Sequence, residues 1–263
     1  MKPTHGVSSL IAVATYNERE NLPLLLSQLR LHAPTSHILV IDDNSPDGTG
    51  QLAEQLAKTM GRIAIIHRPG KLGLGTAMVA AMKYALHEGF GVLVTMDADL
   101  SHDPAVLPRL LAGLCEFDVM IGSRYIVGGG TKDWPLLRRF LSKAVNCLVR
   151  VLHRLPARDN SGGYRAYKRY YLERVDLDHL LSVGYSFQEE MLLRCHRAGA
   201  RIGETPILFA DRRQGASKVN LKECVRSLAM LLYLAVPRFL GGPPLAPLNR
   251  LPKETLHEFR KTA

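Results

Sequence analysis

The side chains that most suggest chemistry are two carboxylates flanking one small residue, Asp97-Ala98-Asp99. At a strand end both can turn toward a hard divalent cation such as Mg²⁺ or Mn²⁺, which favours oxygen ligands and bridges diphosphates. The apolar run Val92 to Met96 would deliver them. The competing reading is a turn that caps the helix after Pro104, a task Asp103 can perform alone. Two other apolar runs end in polar residues, Thr15-Tyr16-Asn17-Glu18 and Asp42-Asp43-Asn44-Ser45. Gly70-Lys71-Leu72-Gly73-Leu74-Gly75 has neither dinucleotide-fingerprint spacing nor a P-loop ending. Lys71 among glycines before a helix N-terminus still suits a phosphate.

Cations complete the inventory. Arg124 lies in Gly122-Ser123-Arg124-Tyr125, Arg138 and Ser142 share a helix face at i, i+4 spacing, and Arg212 to Lys218 is a basic loop. Guanidinium forks match phosphate oxygens. Each alone is an ordinary surface charge, but three basic clusters beside a metal site imply two phosphorylated ligands.

Positioning these groups requires strands that end where the polar residues begin. Leu10 to Ala14, Ile38 to Ile41, Ile63 to Ile66, Val92 to Met96 and Val119 to Gly122 read as buried parallel strands. Helical periodicity occupies Glu18 to Leu31, Thr49 to Lys58 and Thr76 to His87 between them. This alternation predicts an α/β fold, a mostly parallel sheet with helices on both faces, whose ligands bind beyond the carboxyl ends of the strands. Further on, the pattern predicts helices over Trp134 to Leu155, Phe187 to Ala198 and Leu221 to Val236, and a strand near Ile207 to Ala210. Residues 1–240 are expected to form a single domain and 241–263, with its prolines, a loosely ordered tail.

The sequence has 34 Lys and Arg against 24 Asp and Glu over 263 residues, a formal charge of +10, which predicts an anionic partner of some kind. Cys115, Cys147, Cys195 and Cys224 include no Cys-x-x-Cys pair, as expected of a reduced, cytosolic compartment. No secretory signal is read at the N-terminus, and Leu228 to Val236 is shorter than the about 20 residues of a membrane-spanning helix, so membrane contact is expected to be peripheral. In Trp134 to Leu155, an apolar stripe (Leu136, Leu137, Leu141, Val145, Leu148, Val149, Leu152) has a cationic flank. One reading lays this helix on a membrane surface, and the other makes it a core helix with a solvated basic face.

Taken in order, these motifs resemble the polyprenol-phosphate (dolichol-phosphate) mannose synthases, inverting family 2 glycosyltransferases with the Rossmann-like GT-A fold. The resemblance rests on Thr15 to Asn21, Asp42 to Thr49, Lys71 to Ala77, Asp97 to His102, Gly122 to Tyr125, Phe187 to Met191 and Asp211 to Lys218, and runs from about Ile11 to about Leu232. It implies transfer of mannose from GDP-mannose to a polyprenyl phosphate, at the cytoplasmic face of a membrane, with Mg²⁺ or Mn²⁺ as cofactor. By resemblance Tyr16, Glu18, Ile41 and Asp43 would line the base and ribose pocket, with Ala14 where the family usually has Pro. Asp97, Ala98 and Asp99 would meet the diphosphate and metal, and Ser101 would stand near the metal. Arg124, Arg138, Ser142 and Arg212 would hold the lipid phosphate, Lys218 the donor phosphates, and Gln188 with Glu190 the sugar. The amphipathic helices Trp134 to Leu155 and, nearer the C-terminus, Leu221 to Val236 are expected to lie in the headgroup layer, unless a small partner protein supplies the anchor. The alternatives are a transferase using UDP-glucose or UDP-N-acetylglucosamine, and a non-catalytic nucleotide- or RNA-binding module. Only Tyr164, Tyr167, Tyr170 and Tyr171 hint at base stacking for the last, and no nucleic-acid partner is expected.

Overall fold

The computed structural model describes residues 8–182, 184, 186–210, 232 and 234. The predicted loop Arg212 to Lys218, the predicted tail 241–263, and Leu221 to Val236 apart from Leu232 and Leu234 lie outside the described residues.

The central sheet is built from β1 (Ser9–Thr15), β2 (His37–Asp42), β3 (Ile63–His67), β4 (Val92–Asp97), β5 (Val119–Ser123), β7 (Arg165–Lys168) and β8 (Ile202–Pro206). Their order is β3-β2-β1-β4-β7-β5-β8, with β7 antiparallel between β4 and β5 and every other pairing parallel. A second sheet pairs β6 (Gly130–Lys132) with β9 (Leu208–Ala210). Helices α1 (Leu22–His32), α2 (Thr49–Met60), α3 (Leu74–His87), α4 (Leu107–Gly113), α5 (Leu136–His153), α6 (Arg169–Leu172) and α7 (Phe187–Arg197), with short 3-10 turns at Pro104–Val106 and Leu177–His179, complete the described elements.

Alternation along β1 explains the two layers. Leu10 and Ala12 face one core with Met78, Ala81, Met82 and Ala85 of α3. Ile11 and Val13 face the other, with Leu22, Leu25, Leu26 and Leu29 of α1 and Leu107 and Leu110 of α4. Both faces are covered, so the strand reads as an unbroken apolar run. Each leucine sealed this way contributes about 1.5–3 kcal/mol.

Several expected boundaries shift for local reasons. Helix α1 starts at Leu22, because Asn17 is left-handed (φ 59) and Glu18 first closes a turn, with its carbonyl accepting from the amides of Asn21 and Leu22. Helix α5 starts at Leu136, because Pro135 is extended (φ −55, ψ 143). The strand expected at Ile207 to Ala210 belongs to the small sheet, while the edge of the main sheet is Ile202–Pro206. Neither Ile-Gly-Glu-Thr-Pro nor the four-residue β7 has enough apolar periodicity to be read as a strand.

The largest correction concerns α5. Leu136, Leu137, Leu141, Val145 and Leu148 are exposed, whereas Asn146, Val149 and His153 are buried. A core helix with its apolar stripe inward is therefore overturned. The inward face is mostly polar because its contacts are hydrogen-bonded loops, as described below.

Helix α5 ends on Arg154 in the left-handed region (φ 53, ψ 37) with an exposed side chain. Glycine adopts that conformation without steric cost. Arg154→Gly should stabilise the protein by about 1 kcal/mol, measured as a higher urea midpoint; an unchanged or lower midpoint would contradict this account of the helix end.

Candidate active site

Strand order reverses between β1 and β4, which leaves a crevice beyond their carboxyl ends. Register puts Ala14 between Ile41 of β2 and Asp97 of β4. Ile41 is fully buried, so the row presents an apolar floor with a carboxylate at one side. Each of these three strands is followed by a non-glycine residue with positive φ: Asn17 (φ 59), Asn44 (φ 57) and Leu100 (φ 60). Such strain costs about 1–3 kcal/mol per residue and gathers where side chains must be aimed.

On the β1 and β2 side, Asp42 is the organiser. Its carboxylate accepts from Thr15 Oγ1 (3.1 Å), Ser45 Oγ (2.5 Å) and the Ser45 amide (3.0 Å). Asp43 next to it is 3.1 Å from Arg68 Nε, and burial raises its carboxyl above the usual range while Arg68 opposes the shift. Lys71 Nζ lies 4.5 Å over the Tyr16 ring, joining two expected donor-side residues. The Glu18 amide donates to Thr49 Oγ1 (3.0 Å), and its Oε2 accepts from Asn21 Nδ2 (2.7 Å). The ammonium and the tyrosine face suit a phosphorylated, ring-bearing ligand.

At the end of β4 the two carboxylates differ. The Asp97 side chain is about a third exposed (32%), whereas Asp99 is buried and accepts from the Ser101 amide (3.0 Å) and Oγ (2.5 Å). Ser101 thus orients Asp99. Ala98 packs into the core, so only its backbone faces the site. A Cβ at Gly163 would lie 3.4 Å from Gln188 Nε2, 3.6 Å from Asp97 Oδ1 and 3.8 Å from His102 Cε1. Three side chains from β4, α7 and the intervening loop therefore converge over bare backbone. Among the described residues no three His, Cys, Asp or Glu side chains gather as a cage. An open carboxylate beside an oriented one nevertheless fits Mg²⁺ or Mn²⁺, which take remaining oxygens from water and diphosphate.

The arginines follow a different plan. Arg124, just past β5, is buried and donates from Nε and Nη2 to the two oxygens of Asp159, at 2.7 Å each. Nη2 also reaches Ser161 Oγ (2.8 Å). This bidentate pair holds the guanidinium pKa above, and the Asp159 carboxyl below, the usual values, against the desolvation both suffer. Arg124 Cζ is 5.5 Å from the Trp134 ring centroid and Arg138 Cζ is 3.9 Å from it. Ser142 Oγ is 2.6 Å from the Tyr125 hydroxyl. Asn146 Oδ1, on the inward face of α5, accepts from the amides of Asn160 (2.6 Å) and Ser161 (3.2 Å). Arg124, Arg138 and Ser142 thus share one wall. Arg212 and Lys218 lie outside the described residues.

Helix α7 divides its residues unlike the expected pairing. Glu190 is fully buried and accepts from the Leu181 and Ser182 amides and from Arg194, so it holds the preceding loop. Among the described residues, buried Gln188 has no partner for Oε1 and buried Glu189 none for Oε2. Burial pushes the Glu189 carboxyl up to about 7. Sequence reasoning missed Asp159, Asn146, Arg165 and Glu189. Fully buried Arg165 donates to the carbonyls of Gly162 (2.8 Å), Gln188 (2.5 Å) and Asn160 (2.5 Å), clamping that loop to α7. The polar run Asp159-Asn160-Ser161-Gly162-Gly163 was the one available signal. Tyr164 and Tyr167 are fully buried, so the four tyrosines form no stacking strip for bases.

A carboxyl that keeps its proton to higher pH in the folded state withdraws stability as pH rises from the unfolded value toward the folded one. For Glu189 that window runs from 4.5 to about 7 and amounts to roughly 3 kcal/mol. Wild type should therefore lose stability relative to Glu189→Gln between about pH 4.5 and about pH 7, read as diverging urea midpoints. Parallel pH profiles would remove Glu189 from this role.

Compared with known proteins, residues 10–176 match the family described as Glycosyl transferase family 2. The chain is 43% identical over 234 residues to the polyprenol monophosphomannose synthase of Mycolicibacterium smegmatis, covering 87% of this chain and 88% of that one. It is 44% identical over 211 residues to the undecaprenyl-phosphate mannosyltransferase of Micrococcus luteus, covering 80% and 87%. Among solved structures it is similar to glucosyl-3-phosphoglycerate synthase from Mycobacterium tuberculosis in complex with Mn²⁺, UDP and glucosyl-3-phosphoglycerate. The TM-score is 0.61 at 15% identity, over 91% of this chain and 82% of that one. At that identity the likeness carries the fold alone, the GT-A arrangement.

Proposed function

Because the chain belongs to glycosyl transferase family 2, we propose that it transfers mannose from GDP-mannose to a polyprenyl phosphate of the dolichyl or undecaprenyl kind. The products are GDP and a polyprenyl-phosphate β-mannose. The observation that carries this reading is near-full-length identity above 40% to two enzymes named for mannosyl transfer to polyprenols. The site's division into a carboxylate edge and an arginine wall supports it.

A lipid phosphate is already an anionic oxygen nucleophile, so no strong general base is required. One of its oxygens attacks the anomeric carbon, the bond from that carbon to the GDP phosphate breaks, and the electron pair leaves with GDP. In-line attack inverts an α-linked donor to a β-linked product. Tyr16, Glu18, Asp43 and Lys71 hold the nucleotide over the floor made by Ala14 and Ile41. Gln188 meets the sugar, and Glu190 supports it through the loop it holds. Arg138 and Ser142 hold the acceptor phosphate, with Arg124 behind them bracing that wall through its pair with Asp159, and Arg212 and Lys218 completing the anion sites. Two phosphates brought together repel strongly in a partly dry site, and fixed guanidinium groups offset that cost. Asp97 and Asp99, the latter oriented by Ser101, would hold Mg²⁺ or Mn²⁺ with the Ala98 backbone between them. When bound, that ion neutralises charge on the departing diphosphate.

No helix among the described residues is long and apolar enough to cross a membrane. Helix α5 instead carries exposed Leu136 (80%), Phe140 (68%) and Val151 (71%) beside exposed Arg139, Lys143 and Arg150. That composition suits a helix lying in the headgroup layer of an anionic membrane, where the lipid acceptor is presented. A small anchoring partner is the alternative.

Purified protein with labelled GDP-mannose, Mn²⁺ and a polyprenyl phosphate in liposomes should yield labelled lipid, and Asp97→Asn should reduce turnover at least about 100-fold. Turnover with UDP-glucose and none with GDP-mannose would overturn the donor. Flotation with anionic liposomes at low salt should capture the protein, and Leu136→Ser with Phe140→Ser should weaken capture at least about tenfold. Undiminished flotation of that double variant would free α5 from this role.

A further inference from the structure

On its β7 side, strand β4 loses its neighbour two residues before its end. On the β7 side the ladder ends at Thr95 opposite Arg165, and the Thr95 hydroxyl donates to the Gly163 carbonyl (2.8 Å) as that strand turns away. The amide of Asp97 would then lack a strand acceptor. His102 supplies one: the Asp97 amide donates to His102 Nδ1 at 3.1 Å, closing a loop from the strand end back onto itself.

That bond fixes the state of the ring. Since a backbone N–H can only donate, Nδ1 is an acceptor, and the imidazole is neutral with its proton on Nε2. The 3.7 Å approach of Nδ1 to Asp97 Oδ2 is for the same reason not an ion pair. Burial, which lowers the basicity of His102, agrees with a neutral ring. The ring cannot easily turn. It stacks on Tyr164 (centroids 5.0 Å apart, 26° between planes) and meets Phe209 edge-on at 5.4 Å. The Tyr164 hydroxyl donates to the Asp103 carbonyl (3.2 Å), so the same tyrosine also ties down the far end of the loop.

We propose that His102 is a positioning residue: its Nδ1 holds the Asp97 amide and thereby aims the Asp97 carboxylate for divalent-cation binding. An uncharged acceptor serves where a carboxylate would add a third negative charge and a protonated imidazole would repel the cation. The proposal rests on the metal-dependent reading above. Groups that orient a ligand in this way commonly contribute about 10- to 100-fold to metal affinity.

Two substitutions separate the acceptor atom from the ring. In His102→Asn the side-chain oxygen takes the place of Nδ1 but the ring is lost; in His102→Phe the ring stays and the acceptor is lost. The measurement is Mn²⁺ binding by the full-length protein in the presence of GDP, followed by the electron paramagnetic resonance of free Mn²⁺, with thermal unfolding recorded without metal. His102→Phe should weaken Mn²⁺ binding about tenfold or more, and His102→Asn should stay within about threefold of wild type while melting lower. Melting temperature and metal affinity should therefore rank the variants differently, which a merely structural role would not produce. Wild-type Mn²⁺ affinity in His102→Phe, or an equal loss in His102→Asn, overturns the positioning role and leaves the transferase reading intact. Failure of wild type itself to take up Mn²⁺ with GDP overturns the metal reading and this proposal together.

Discussion

The arginine wall of this molecule depends on one buried ion pair. Asp159 is completely enclosed and Arg124 nearly so, and the carboxylate receives the guanidinium on both oxygens and the Arg124 amide as well. Enclosing two charges is costly, and their attraction repays this only when the geometry is good and the remaining lone pairs are satisfied. Here they are: Asp159 Oδ1 also accepts from the Gly162 amide, and Glu204 on β8 receives the amides of Arg158 and Asp159. The result is a rigid joint between the end of β5, the loop before β7 and the edge strand. Trp134 and Phe209, packed near the same guanidinium, extend the joint to the start of α5 and the small sheet.

This joint explains why α5 is turned as it is. A helix that must satisfy the loop at 159–161 needs acceptors and donors on its inner side, and Asn146 provides both, donating to Ser161 Oγ as well as accepting two amides. Its apolar residues then meet no core among the described residues and stand outward. For an ordinary surface that would be a liability, because exposed apolar patches of this kind mark interaction sites. In the proposed reading it places Arg138 and the exposed apolar face on a single rigid element.

Glu189 and Glu190 show how adjacent identical residues divide by environment. Glu190 finds two backbone amides and an arginine and acts as a fastener. Its neighbour points into the interior, and among the described residues its Oε2 has no hydrogen-bond partner to favour the ionised form. Burial without a matching donor is what raises a carboxyl toward neutrality. The helical offset of one residue, about 100° of rotation, is enough to separate the two fates.

Sequence alone determined the features that depend on near neighbours. The β-α alternation, the polar strand ends carrying Tyr16, Asp43 and Asp97, and the helix of Gln188 were legible because strand and helix periods and turn chemistry are local properties. Ser101 near the metal was implied by the family resemblance. Tertiary structure alone decided the partner of Arg124, which lies 35 residues away along the chain, the antiparallel insertion of β7, the outward turn of the α5 stripe, and which glutamate of α7 stays unpaired. These outcomes depend on which surface covers which face. A pattern of apolar and polar residues records that a helix has two sides, but not whether the side it buries will meet a greasy core or a row of backbone amides.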